Sequence, residues 1–365
     1  MQLRNMNDNK VIIAGAGSGK TTYIVKEAIQ SKNRHVLITT FTQANKDEIC
    51  NKFFKQNGYV PECVTIQTWF SFLLQDGVRP YQGKKRSKRI QGVVLANGQS
   101  TTYITEADTE KYYIATGDCM YSDKLALFTI KCDELSDNAV IKRLEGLYDV
   151  IYVDELQDIA GYDLEFLKLI LKSDIKLIMV GDPRQGTYST NNSLKNKDIR
   201  RDKTKLTDFF TSDKSLNVNI DETTLGTNFR CHPTICDLSN KLYPEFSAVK
   251  SGYSAINEHQ GIFLVKKTDV SAYLEKYRPM QLRWDRRSRV DSNYSVMNFG
   301  ESKGLEFDRV LIYPSKDMIK WIKNNTTNLK AICRSKLYVG ITRARHSVAF
   351  VCDDNITGFT TWIQD

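Results

Sequence analysis

Short apolar, β-branched runs recur along the chain, and each ends in a polar or glycine-containing turn. Val11–Ile13, Arg34–Thr40, Cys63–Gln67, Tyr148–Val153 and Ile175–Val180 have the length and composition of buried strands. Helical stretches follow the first three, and strand–helix–strand succession predicts a parallel sheet, because parallel neighbours need a crossover. In open α/β sheets ligands gather at the carboxyl edge, where Phe41, Thr42, Thr68 and Trp69 stand. From Gln75 to Leu144 the pattern degrades into mixed polar sequence and reads as an insertion. Ser295–Tyr313 reads as a loop and a helix start followed by a strand. The expected division is a first core domain (1–74 and 145–222), an inserted subdomain (75–144) and a second core domain (223–365).

The first strand runs directly into A-G-A-G-S-G-K-T-T, Ala14 to Thr22, a phosphate cradle. Gly15, Gly17 and Gly19 let the backbone take angles barred to side chains with a Cβ, so that successive N–H groups, flanked by Ala16 and Ser18, point at phosphate oxygens. Lys20 is placed to reach the β- and γ-phosphates. The Thr21 hydroxyl is placed to ligate Mg²⁺, at a helix start whose dipole favours an anion.

The strand ending at Val153 leads into D-E-L-Q-D. Asp154 suits the Mg²⁺ shell and Glu155 suits orienting and deprotonating an attacking water. In G-D-P-R-Q, Gln185 is placed to report the γ-phosphate, with Asp182 holding the loop. Arg230 in T-N-F-R and Arg343 in T-R-A-R offer cations for the transferring phosphoryl group.

Composition bounds the rest. At 365 residues with 41% hydrophobic content and 7 prolines, the chain can bury a large core in two or three domains. The eight cysteines are scattered without a C-x-x-C pair, which suits reduced thiols; Cys231, His232 and Cys236 form the one local group with a metal-like composition. No apolar run approaches a membrane span and no signal-peptide pattern opens the sequence, so a soluble, cytoplasmic protein with no membrane partner is expected. The net charge of +9 matters less than its placement. Between Gln75 and Gln91, Arg79, Lys84, Lys85, Arg86, Lys88 and Arg89 face only Asp76, leaving +5. That run reads as a contact to a nucleic-acid backbone or as a solvated loop.

Taken in order, these motifs resemble the UvrD/PcrA/Rep-like branch of superfamily 1 DNA helicases. A-G-A-G-S-G-K-T resembles motif I of that family, where Ala at the first position is common; T-F-T-Q-A-N resembles motif Ia and D-E-L-Q-D motif II. V-G-D-P-R-Q resembles motif III, N-F-R motif IV, S-K-G-L-E-F motif V and Y-V-G-I-T-R-A-R motif VI. The resemblance implies two RecA-like α/β P-loop domains with ATP and Mg²⁺ in a cleft between them. It implies that Lys20, Thr21, Asp154, Glu155 and Gln185 come from the first, and that Arg230 and Arg343 reach the γ-phosphate from the second. It also implies Glu306 on the ribose and Phe229 packed on adenine; for the family's N-terminal adenine-reading glutamine only Gln2 is available.

The departures concern nucleic acid. About 70 residues separate N-F-R from S-K-G-L-E-F, where full-length members insert a large accessory domain. Family contacts to single-stranded DNA are replaced by Thr190, Gly300 and Phe70, while Phe41, Tyr188 and Trp69 remain as aromatics for base stacking. The expected function is therefore an ATP-dependent helicase or translocase of reduced architecture, acting on single-stranded or partly duplex DNA. The alternative is a nucleotide-gated ATPase or sensor subunit that regulates a protein partner such as a nuclease, for example in anti-phage defence. A scaffold without turnover fits less well, since Glu155, Gln185 and both arginines are present.

Overall fold

The computed structural model describes residues 8–256 and 258–364; Gln2, the one residue offered for adenine reading, lies outside them. By contacts the chain forms two units. Of the described residues, the first gathers 8–13, Lys20–Pro183 and Tyr188–Asp221; the second gathers Ala14–Gly19, Arg184–Thr187 and those from Glu222 on. Two short segments, the phosphate loop and the stretch around Gln185, thus count with the second unit.

The first unit contains β1 (Asn9–Ile13), β2 (Val36–Thr40), β3 (Val64–Thr68), β4 (Gly92–Val94), β5 (Cys119–Tyr121), β6 (Val150–Val153), β7 (Lys176–Gly181) and β8 (Val218–Asp221). Its main sheet has the order β3-β2-β6-β7-β1-β8, with every pairing parallel. All of β2 and β6 is buried, as central parallel strands covered on both faces should be. This is why they read as unbroken apolar runs. The edge strands β3 and β8 are mostly half-buried.

The second unit contains β9 (Thr227–Asn228), β10 (Lys250–Ser251), β11 (Gly261–Val265), β12 (Met280–Arg283), β13 (Val296–Asn298), β14 (Phe307–Ile312), β15 (Ala344–Val351) and β16 (Thr360–Thr361). Its main sheet, β13-β12-β14-β15-β11-β16, is again wholly parallel. Numbered by their own chain order, the strands of both six-stranded sheets run 3-2-4-5-1-6. The molecule therefore carries two RecA-like α/β sheets of one topology, the fold class expected from the sequence.

The stretch read as an insertion is partly helical, and one local expectation fails. That stretch holds the mostly buried helix Leu125–Leu135 and the start of the amphipathic helix Ala139–Leu147. In the first of these Leu125, Ala126, Leu127 and Phe128 are apolar and buried in succession, which gives no stripe for periodicity to detect. In Ser295–Tyr313 no helix starts: a turn with Gly304 at φ +85° joins β13 to β14, and that left-handed residue breaks a helix at its first turn.

Candidate nucleotide site

The phosphate loop is shaped by two different demands for glycine. Gly17 and Gly19 have φ of +70° and +82°, as expected for a backbone turned to present its N–H groups. Gly15 does not; its constraint is room, because a Cβ there would lie 2.8 Å from Val249 Cγ2 and 3.2 Å from Arg184 Nη2. Ser18 Oγ closes the turn by donating to the Gly15 carbonyl at 2.8 Å. The N-F-R segment packs on this loop: Phe229 N donates to the Gly17 carbonyl at 3.0 Å, and a Cβ on Gly17 would stand 2.4 Å from Asn228 Oδ1.

At the start of helix Lys20–Gln30 in the first unit, Thr21 Oγ1 donates to Asp154 Oδ2 at 2.9 Å. Asp154 follows β6, and its other oxygen accepts from Glu155 N at 3.0 Å. Burial and the adjacent Glu155 carboxylate raise the Asp154 carboxyl above its ordinary value, against the Thr21 hydrogen bond and the Lys20 charge. A hydroxyl and a buried carboxylate are hard oxygen donors of the kind Mg²⁺ takes in nucleotide sites, and the loop has space only where side chains are missing. The residues present therefore fit a Mg²⁺–nucleotide. Glu155 itself sits at φ +59°, a costly left-handed conformation for a non-glycine residue.

Gln157, which the sequence reading passed over, ties these strand ends together. Its Nε2 donates to Glu155 Oε2 and its Oε1 accepts from Asp182 N at 2.9 Å. Its place two residues after Glu155 in D-E-L-Q-D was the available signal. Thr22 follows on the helix without a distinct role in the geometry.

In the second unit Arg343 is buried. Its Nε donates to the Val339 carbonyl, its Nη1 to the Leu305 carbonyl, and its Nη2 to Gln185 Oε1 at 3.1 Å. A cavity of about 640 Å³ is lined by Gly17, Gly19, Phe229, Arg230, Tyr253, Glu306, Arg345 and His346 among others. Phe229 offers an exposed ring face there, 67% accessible. Glu306 bridges two arginines, accepting from Arg230 Nε at 2.9 Å and from Arg345 Nη2. Burial alone would raise its carboxyl, but Arg345 and Arg230 outweigh it and hold the group below its ordinary value. Arg345, Tyr253 and His346 were missed by the sequence reading; only the second arginine of T-R-A-R carried a hint. Cys231 and Cys236 are buried, their thiols directed at the carbonyls of Thr342 and Cys231.

The candidate nucleic-acid residues fare unevenly. Trp69 is 1% exposed and packs on Phe72 and Phe166 at 5.7 and 6.4 Å, so it is a core residue and its assignment to base stacking is corrected. The cause is helical phase: the turn starting at Trp69 sends residues three apart to one face, and Trp69 with Phe72 goes inward. Phe70, at the position of a lost family contact, instead stays half-buried and meets Phe41 edge-on at 5.8 Å. Thr42 and Thr68 cap helices, accepting from Asn45 N and Ser71 N. Tyr188 is 44% exposed.

The basic run is likewise largely internal. Arg86 is buried and paired to Glu110 and Asp118, both at 2.7 Å, and those hydrogen bonds, Glu110 first, raise its pKa despite burial. Lys85 pairs with Glu106 and Lys88 with Asp118. Arg86 is a structural hub and not a backbone contact; Lys84 and Arg89 remain exposed. Sequence distance hid this, because the acids lie 24 and 32 residues downstream.

A family model described as an AAA domain matches residues 2–191, more than half of the chain. The chain belongs to this AAA-domain family. The match spans the phosphate loop, Asp154, Glu155 and Gln185. Among curated proteins, the chain is 30% identical over 192 residues to the Gabija protein GajB of Bacillus cereus (strain VD045), covering 49% of this chain and 38% of that protein. It is 33% identical over 67 residues to RecBCD enzyme subunit RecB of Borreliella burgdorferi, 18% of this chain and 6% of that one. The chain thus spans well under half the length of these relatives. Solved structures with overall similarity include Arterivirus nonstructural protein 10 (helicase), with TM-score 0.48, 12% identity and coverage of 94% of this chain and 59% of that one. The PRRSV helicase gives TM-score 0.45, 16% identity and coverage of 94% and 52%. Among the described residues of this AAA-domain protein, no helix is long and apolar enough to cross a membrane.

Proposed function

We propose that the chain is a Mg-ATP hydrolase of helicase type, of the UvrD-like kind that the motif series resembles, whose turnover drives movement on single-stranded or partly duplex DNA. The observation that carries the reading is the bond from Thr21 Oγ1 to Asp154 Oδ2, a hydroxyl–carboxylate pair of the kind a Mg²⁺–nucleotide takes, with Thr21 two residues after the last glycine of the loop. The loop N–H groups and Lys20 bind and orient the phosphates, while Thr21 and Asp154 hold the metal. When bound, Mg²⁺ neutralises developing charge on the phosphoryl oxygens. Glu155, its carboxylate aimed by Gln157, orients water and takes its proton at a carboxylate oxygen. Gln185 and Arg343 act as a bonded pair, and Arg230 adds a second cation for charge on the transferring group. Phe229 packs on the base, and Glu306 fixes Arg230 and Arg345 along the cavity beside the ribose.

Grip on nucleic acid falls to Phe41, Phe70, Tyr188, Lys84 and Arg89. The second reading, a nucleotide-gated subunit of a larger assembly, is favoured by two observations: Trp69 and Arg86 are committed to internal packing, and one relative is by name a subunit of an enzyme complex. Steady-state ATP hydrolysis with and without single-stranded DNA, across a range of salt, separates the two. Strong stimulation that fades with salt supports the motor. Turnover indifferent to DNA supports the gated subunit.

A further inference from the structure

In the second unit the parallel pair of β9 and β10 is registered Lys250 to Thr227 and Ser251 to Asn228, and the pairing runs on past its last strand residue. Gly252 N donates to the Asn228 carbonyl at 2.8 Å, which sets Gly252 beside Phe229. A Cβ on Gly252 would lie 2.9 Å from Phe229 Cδ1, 3.1 Å from its Cε1 and 2.9 Å from Thr227 Cγ2. The Gly252 backbone is outside the left-handed region, so alanine could adopt it; what the missing Cβ provides is room for the ring. Phe229 is therefore held twice, by its N–H on the Gly17 carbonyl of the phosphate loop and by its ring edge on Gly252.

The segment that follows Gly252 is itself anchored. Tyr253 N donates to Ser251 Oγ at 3.1 Å, and Gln260 Nε2 donates to the Ala255 carbonyl at 2.9 Å. The Tyr253 hydroxyl is hydrogen-bonded to Nδ1 of His346, the residue after Arg345 in β15, and Arg345 is a partner of Glu306. Gly252, Tyr253, Phe229 and His346 all line the one cavity.

We propose that Gly252 is a positioning residue for the nucleotide, setting the angle at which the Phe229 ring packs on the base, with Tyr253 as the tie that holds Gly252 in place. This deepens the proposed function and rests on its placement of a base against Phe229. Stacking depends on ring orientation, and the two side-chain atoms that a Cβ would meet can both move by rotation. The exposed Phe229 ring gives way before the surrounding sheet does, so an added methyl turns the stacking face and leaves the fold. The base is common to ATP and ADP and missing from inorganic tripolyphosphate, so the position is read by both nucleotides and not by phosphate alone.

The test is equilibrium binding of Mg-ADP, a non-hydrolysable Mg-ATP analogue and Mg-tripolyphosphate to the full chain, for wild type, Gly252→Ala, Tyr253→Phe, Phe229→Ala and the double variant Phe229→Ala/Gly252→Ala, with thermal unfolding of each. A base stacked on an aromatic ring is worth a change in affinity of about tenfold. Gly252→Ala is expected to weaken both nucleotides by about that factor while tripolyphosphate changes by less than about twofold. In the Phe229→Ala background, where the ring is gone, Gly252→Ala is expected to add nothing. Tyr253→Phe keeps the ring and loses the tie to His346; a smaller loss with the same selectivity is expected, and it serves if Gly252→Ala does not fold. Tripolyphosphate weakened as much as the nucleotides, as damage to the fold would give, or no loss for the nucleotides, would overturn the inference while leaving the nucleotide site intact. Wild-type protein that binds none of the three probes would overturn the proposed function along with it.

Discussion

Arg343 Nη2 donates to Gln185 Oε1 at 3.1 Å, while the remaining guanidinium nitrogens of Arg343 are bonded to the carbonyls of Val339 and Leu305. The arginine is held from three sides, and the glutamine amide is oriented by it. Groups that act as a unit in catalysis are strongly non-additive on removal. Arg343→Ala and Gln185→Ala are each expected to lower kcat by about a hundredfold or more with Mg-ADP affinity nearly unchanged. The double variant is expected to be little worse than the poorer single one; multiplied losses in steady-state kinetics would mean that the two act independently.

Glu155→Gln preserves volume and the Gln157 contact but removes the proton acceptor. Nucleotide binding is expected to persist and multiple turnover to be abolished. Hydrolysis at the wild-type rate in that variant, measured by phosphate release, would remove Glu155 from the role of base.

The basic run is expected to separate into two behaviours. Arg86→Ala leaves Asp118 and Glu110 without their shared cation and is expected to destabilise the fold by about 1–3 kcal/mol, discounted from a fully buried pair because the acids are part-exposed. Thermal unfolding measures it. Lys84→Ala with Arg89→Ala is expected to leave the melting temperature alone and to flatten the salt dependence of single-strand binding by a log–log slope of roughly 0.7 per lost phosphate contact. An unchanged slope would make Lys84 and Arg89 solvated surface.

His259 provides an acid-sensitive point in the second unit. It stacks between Phe263 and Tyr277, each at 3.9 Å, and its Nε2 meets the Tyr273 hydroxyl at 2.9 Å. Burial, then Arg309 and Lys276, push it from 6.5 down to about 4. The folded state thus disfavours the charged ring, and the unfolded chain binds the proton first as pH falls. Its contribution is complete above about pH 6.5 and is lost between there and about pH 4, with a ceiling of roughly 3 kcal/mol. His259→Phe is expected to flatten the loss of stability across that window relative to wild type, as followed by denaturant unfolding at stepped pH. Identical slopes would assign acid sensitivity elsewhere.

What was legible in the sequence follows from locality. The phosphate loop, the D-E pair and the buried strands are contiguous signals, and a central parallel strand such as Val150–Val153 is apolar at every position. What escaped depends on distant partners or on phase. Trp69 reads as a surface aromatic until the helical turn beginning there sends it inward with Phe72. Arg86 reads as part of a basic patch until Glu110 and Asp118 arrive. Arg345, Tyr253 and His346 come together at one cavity with Glu306 because the residue before β14, the start of β15 and the segment after β10 converge, a consequence of topology that no local pattern records. Gly15 reads as a glycine needed for its backbone angles, but its φ is not in the left-handed region; close approach by Val249 and Arg184 is what excludes a side chain.

The most direct test of the central claim is phosphate release from Mg-ATP by the purified full chain and by its Lys20→Ala variant, each with and without single-stranded DNA. Turnover by the wild type and its loss by about a hundredfold or more in the variant is the expected result. An inactive wild type under both conditions, or a variant as active as the wild type, would contradict it.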